Sequence, residues 1–220
     1  MLNMFLSDNL NVNGNGHLTI GGVDTVSLAE EYGTPLYVMD EDLIRDNLRR
    51  FHESIRKYYG GRGEVHFAGK AFSCMEMCRI VNSEGDGLDA VSLGELYTAF
   101  KAGFPMEKVG FHGNNKSDEE LEFAVEHGVG HIIVDNISEL HRLEKIAGEK
   151  GVQQKIMFRI KPGIDAHTHQ AVMTGQIDSK FGFALETGEA FEAVKEAVSC
   201  GNVKLTGVHC HIGSQIFDIH

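Results

Sequence analysis

Short apolar runs alternate with amphipathic stretches along most of this chain, and that alternation sets the expected architecture. Runs rich in β-branched and aromatic residues predict strands at Leu36–Met39, Val65–Gly69, Leu88–Val91, Val109–Phe111, His131–Val134, Ile156–Ile160 and Leu205–Cys210. Between the first two, Ile44, Leu48, Phe51, Ile55 and Tyr59 share one face at helical spacing, which predicts a helix over Glu41–Tyr59 covering a sheet. Ser27, Ser92 and Ser117 are each followed three residues on by a glutamate (Glu30, Glu95, Glu120), the pattern of a capping box that satisfies free backbone N–H groups at a helix start. Gly33, Gly103, Gly128 and Gly151 stand where helices should close.

After residue 64 the strand-then-helix unit recurs at spacings of roughly 20 to 30 residues, the pitch of a TIM-like (β/α)8 barrel. The expected class is therefore α/β, a partial barrel with about six of its eight strands present. An open parallel barrel would expose strand edges and core, so the chain, which stops at His220, is expected to be truncated before closure. Residues 1–35, with the Gly/Asn-rich stretch Asn11–Gly16, are expected to form a separate N-terminal segment, and residues 36–220 the barrel domain.

Composition narrows the function classes. Acidic residues outnumber basic ones 32 to 20, giving a formal net charge of -12, and no Lys/Arg run interrupts it. Such a surface repels nucleic acid and anionic membrane, and neither is expected as a partner. Met1–Leu10 carries no positive leading segment, so it does not read as a secretory signal. No apolar stretch approaches the roughly 20 residues of a membrane span. Four irregularly spaced cysteines, Cys74, Cys78, Cys200 and Cys210, favour a reducing cytoplasm over a disulfide scaffold.

Chemistry concentrates where predicted strands end. Lys70 follows the run Val65–Gly69, and at the C-terminal end of a barrel strand its amine would enter a partly desolvated pocket suited to Schiff-base formation; a surface lysine is the plainer alternative. His209-Cys210-His211-Ile212-Gly213-Ser214-Gln215 ends another strand, where Gly213 lets backbone N–H groups approach an anion and Ser214 adds a hydroxyl. His209 and His211 alternate onto the same face, which equally suits a metal pair or a structural role. Asp89-Ala90-Val91-Ser92-Leu93-Gly94-Glu95 places two carboxylates around one strand-to-helix turn, although Ser92 and Glu95 are already accounted for by a capping box. His112-Gly113-Asn114-Asn115-Lys116 and Arg159 also lie at strand ends and on spacing alone read as scaffolding. Cys74 and Cys78 lie four apart on a predicted helix among Met75, Met77 and Ile80, which points to packing more than to zinc.

Taken in order, these segments resemble the fold-type III, alanine-racemase-like decarboxylases that depend on pyridoxal 5'-phosphate (PLP). The resemblance runs from Gly33-Thr34-Pro35-Leu36-Tyr37-Val38 through Phe67–Ala71, Asp89–Leu96 and His112–Ser117, then Lys161–His169, Thr174-Gly175, Ser179–Gly182 and His209–Gln215. It implies that Lys70 holds PLP, that His211 stacks on the cofactor ring and that Ser214 contacts its phosphate. It further implies that Asp89 and Glu95 lie near the cofactor and its lysine, and that Arg159 faces the cofactor. Leu93-Gly94 departs from the two glycines common in the family. Within the family the segments His112–Ser117 and Gly213-Ser214-Gln215 favour the branch that decarboxylates meso-2,6-diaminopimelate to L-lysine over ornithine- or arginine-type enzymes. By the same resemblance the C-terminal β domain is missing from this chain, no metal is required, the enzyme is a homodimer with its active site at the interface, and the 220-residue piece alone is inactive. Two other classes compete with this reading: a metal-dependent barrel hydrolase using the His-x-His pair, which leaves Lys70 unexplained, and a non-enzymatic PLP-binding barrel acting in cofactor homeostasis.

Overall fold

The computed structural model describes residues 5, 7–163 and 181–213, which divide by their contacts into two units, residues 1–65 and 66–220. Ser214, Gln215 and the motifs at Ile164–His169, Thr174-Gly175 and Ser179-Lys180 lie outside the described residues.

The first unit begins with three short strands, β1 (Leu10–Val12), β2 (Leu18–Ile20) and β3 (Val23–Asp24), paired as an antiparallel meander. Two helices follow, α1 (Thr25–Tyr32) and α2 (Glu41–Tyr59). The cap of α1 is Asp24, not Ser27: its Oδ1 accepts the Val26 N–H at 2.8 Å, and its Oδ2 takes His17 Nδ1 at 2.9 Å and Asn13 Nδ2 at 2.7 Å. Those donors hold the Asp24 carboxylate at the end of β3, so the helix starts two residues before Ser27. The helix predicted over Glu41–Tyr59 forms, capped by Asp40 and closed by Gly60, yet of its apolar face only Leu48 is buried. Leu36–Met39 is not a strand. Tyr37 is 99% exposed and no strand among the described residues pairs with this segment, and β propensity without a partner does not make a ladder.

The second unit is a parallel sheet built in chain order. Its strands are β4 (His66–Ala68), β5 (Gly87–Ala90), β6 (Val109–Phe111), β7 (His131–Val134), β8 (Gln154–Lys161) and β10 (Val203–His209), and a short β9 (Phe183–Ala184) adds to the end of β8. The helices α3 (Met75–Glu84), α4 (Leu93–Ala102), α5 (Asp118–Glu126), α6 (Ile137–Glu149) and α7 (Glu189–Ser199) connect them. All six predicted strands of this region are present within two residues at each end. Each helix buries an apolar stripe: Val81, Leu96, Leu121, Leu140 and Leu143 are fully enclosed, as are Ala90, Phe111, Ile132, Val134, Ile156 and Phe158 from the strands. Burial of such side chains stabilises by about 1.5–3 kcal/mol each before chain entropy is subtracted.

The local start signals explain why the helices begin where they do. Ser117 and Glu120 form the reciprocal capping box. Ser92 Oγ accepts the Glu95 N–H at 3.3 Å, but the Glu95 carboxylate takes the Val91 N–H at 2.6 Å instead of closing a box on Ser92. Cys74 caps α3 through its sulfur and Cys78 is buried on the same helix, which gives both cysteines structural roles.

Candidate active site

Six strands of the parallel sheet, β4 to β8 and β10, each deliver a polar residue at, near or just past the C-terminal end. Lys70 sits in the 3-10 turn Gly69–Ala71 immediately after β4, and its side chain is exposed. Asp89 lies on β5, His112 follows β6, Asp135 follows β7, Arg159 lies on β8, and His209 ends β10 with His211 two residues on. In the parallel register His209 stands opposite Arg159, and Ala68 opposite Asp89. The fold thus brings Lys70, Asp89, Arg159 and His211, all named from the sequence, to one rim of one sheet.

The most tightly organised group surrounds Asp89. Its Oδ1 lies 3.0 Å from His66 Nδ1 and 3.4 Å from His112 Nε2. The His112 ring in turn meets the His209 ring edge-on at a centroid distance of 4.9 Å. Burial alone would raise the Asp89 carboxyl, but the imidazoles of His112 and His66 more than offset it and hold the group well below the usual carboxylate range. His209 is pushed down to about 4 by burial, reinforced by the charges of His112 and Arg159, so its ring is neutral at pH 7. Its buried Nδ1 has no hydrogen-bond partner among the described residues. Burial also lowers His211, with further contributions from nearby Lys70, Arg159 and His112.

Arg159 stacks its guanidinium 4.3 Å from the centre of the Phe181 ring. Asp135, 5% exposed, is raised by burial against the opposing pull of the Gly182 N–H, Arg159, Lys116 and Lys161, and its Oδ1 has no partner among the described residues. Glu95 spends its Oε2 on the Val91 N–H, which ties it to the turn after β5.

A second charged group lies just behind the rim. Lys116 donates to Glu139 Oε1 at 2.8 Å and to the carbonyls of Gly113 and Ile133 at 2.7 Å each, while Glu139 Oε2 takes the Asp135 N–H at 3.3 Å. Burial pushes Lys116 down and Glu139 up, each opposed by the other's charge. Three acceptors around the ammonium favour the ionised pair. The pair ties the turn after β6 to the turn after β7. His66, Asp135 and the Lys116–Glu139 pair were not recognised from sequence. One signal was present: His66, Asp89, His112 and Asp135 stand 23 residues apart, one βα unit each.

Residues 44–220 match the family model described as pyridoxal-dependent decarboxylase, pyridoxal binding domain. The chain belongs to this family. Among curated proteins it is 52% identical to diaminopimelate decarboxylase of Bacillus methanolicus over 98% of the chain and 50% of that relative. Among solved structures it is similar to diaminopimelate decarboxylase from M. jannaschii, with a TM-score of 0.88 and 38% identity over 96% of this chain and 49% of that one. It is also similar to the Helicobacter pylori enzyme complexed with L-lysine, with a TM-score of 0.80 and 33% identity over 89% of this chain and 48% of that one. The chain spans about half the length of the relatives it matches. Among the described residues no helix is long and apolar enough to cross a membrane.

Proposed function

We propose that the protein carrying this chain is a PLP-dependent carboxy-lyase that converts meso-2,6-diaminopimelate to L-lysine and CO2, the last step of lysine biosynthesis. The observation that carries the reading is that Lys70, Arg159 and His211 stand at or near the C-terminal ends of strands of one parallel sheet, in a chain of the pyridoxal-binding family. The residues present fit an anionic, phosphate-bearing carbonyl compound. Lys70 and Arg159 supply positive charge, His211 a flat neutral-leaning ring, the buried Nδ1 of His209 a polar atom without a partner among the described residues, and Asp89 a fixed acceptor.

In this reading Lys70 holds the cofactor, His211 covers its ring, and Asp89, Glu95 and Arg159 line the site, with Ser214 contacting the phosphate. Bound PLP supplies an electron-accepting ring that makes loss of CO2 from an amino acid feasible. The chain's own residues do the rest. Lys70, exposed at the end of β4, is accessible to exchange with a substrate amine. His209, neutral at pH 7, adds no charge beside Arg159, so the guanidinium remains the local cation.

The chain forms the larger part of an alanine-racemase-type barrel, with residues 36–220 as the barrel domain and residues 1–35 associating with a C-terminal β domain of the longer protein. The enzyme acts in the cytoplasm as a homodimer with its active site at the interface, and the piece described is inactive alone. CO2 release from meso-diaminopimelate, L-ornithine and L-arginine, with and without PLP and with Lys70→Ala as control, tests the reading. Release from diaminopimelate alone that requires both PLP and Lys70 supports it. Release only from ornithine or arginine moves the substrate to a polyamine precursor.

A further inference from the structure

The Asp89 cluster uses two groups that the family resemblance left unassigned, His66 and Gly110. Strand β4 places His66 beside Gly87 of β5, and β5 places Asp89 beside Gly110 of β6. A Cβ at position 87 would lie 2.5 Å from His66 Nε2, so any side chain there would expel the ring. A Cβ at position 110 would lie 3.0 Å from Asp89 Oδ1, 3.5 Å from His112 Nε2 and 3.8 Å from His66 Nδ1, the point where the three side chains meet. Two glycines on neighbouring strands therefore clear the space in which two imidazoles converge on one carboxylate oxygen.

An ionised carboxylate only accepts, and Asp89 is held well below the usual carboxylate range, so both ring nitrogens that face it must carry hydrogens. His66 is then the Nδ1–H form and His112 the Nε2–H form when neutral. His66 makes the shorter contact, 3.0 Å against 3.4 Å. Both donors share Oδ1, and among the described residues none reaches Oδ2.

We propose that His66 is a positioning residue: its Nδ1–H, with His112 behind it, fixes the rotation of the Asp89 carboxylate so that Oδ2 is presented to the molecule bound at the strand ends. This rests on the reading of that rim as a PLP site. Losing a charge-assisted hydrogen bond that orients a binding group costs roughly tenfold or more in affinity. An asparagine at 66 places its amide nitrogen at the same branch point as the histidine Nδ1, so it can restore the donor, whereas leucine of similar size cannot.

The experiment titrates PLP into the cofactor-depleted protein carrying this chain and follows the absorbance of the bound cofactor, for the parent, His66→Leu, His66→Asn, Gly110→Ala and Lys70→Ala, with thermal unfolding recorded for each. The expected result is about a tenfold weaker PLP affinity for His66→Leu and Gly110→Ala, and an affinity within about threefold of the parent for His66→Asn. Equal affinity for His66→Leu and the parent overturns the proposal, as does an equal loss in His66→Leu and His66→Asn at unchanged unfolding temperature. Should the leucine variant fail to fold, nitrogen-15 shifts of the parent imidazoles decide: a protonated Nδ1 on His66 supports the proposal and a bare one overturns it. A parent that binds no PLP, or Lys70→Ala that binds it as the parent does, sinks the PLP reading itself and is distinguishable from failure of the His66 role alone.

Discussion

Two charged clusters sit close together in the parallel unit and are built on opposite principles. The Lys116–Glu139 pair is sealed, its side chains 1% and 0% exposed, and the chain supplies a partner for each of its interactions. The Asp89 cluster stands open, with side chains of Asp89, His66 and His112 exposed to 32%, 28% and 13%. Next to it the buried Nδ1 of His209 lacks a partner among the described residues. A sealed pair whose valences are all filled has no capacity left for a ligand and serves the fold. An open cluster with a fixed acceptor and an unfilled buried polar atom carries a cost that a bound molecule can offset.

The largest separation between the two should appear in stability. Lys116→Met leaves Glu139 buried without its cation and is expected to cost about 3–5 kcal/mol in urea unfolding. The double change Lys116→Met with Glu139→Leu should recover much of that loss, because replacing both partners removes the uncompensated charge. A small effect of the single change would mean that the pair is not sealed.

The open cluster should instead reveal itself through pH. His209 has a folded value of about 4 against an ordinary 6.5, so below pH 6.5 the unfolded chain takes up a proton that the buried ring refuses. Its contribution to stability is complete above pH 6.5 and is lost as pH falls toward about 4. Asp89 acts lower on the scale: its contribution is present above the ordinary carboxylate value of 3.8 and disappears as pH falls through its depressed folded value. His209→Asn should remove up to about one proton from the difference between unfolded and folded states across the upper window, read from unfolding free energies at a series of pH values. An unchanged slope would remove the case for a buried neutral ring.

Smaller stability effects are expected at the rim itself. Asp89→Asn should shift unfolding by less than about 1 kcal/mol, since the group is partly exposed and the contacts are partly screened, while weakening PLP retention. Lys70→Ala, at an exposed position, should change stability by less than about 0.5 kcal/mol and yet abolish stable cofactor attachment. A Lys70→Ala protein that unfolds much earlier would place the lysine in the fold instead of the site.

The contrast also explains what could be read from the sequence. The six parallel strands were legible because each is an apolar run bounded by a helix start or a closing glycine, and their pairing follows chain order. The antiparallel meander was not, since strands of two or three residues such as Val23–Asp24 carry too little periodicity. Leu36–Met39 has the β propensity of a strand but no partner strand among the described residues, and propensity alone does not form a ladder. At the rim, the strand-end positions of Lys70, Asp89 and His211 were legible from the strand pattern, while a part for Arg159 and the roles proposed for all four come from motifs that resemble a family. His66 did not, because its meaning depends on Asp89 one βα unit away and on glycines at 87 and 110 whose value is the space they leave. Lys116 read as part of a polar turn, and only the fold reveals that it is enclosed.

In the function proposed, this unit holds PLP through Lys70. Reduction of the PLP-treated protein with borohydride, followed by protease digestion and mass spectrometry, tests it most directly. A pyridoxyl adduct confined to the peptide containing Lys70 is the predicted result; an adduct on another lysine, or none, would contradict it.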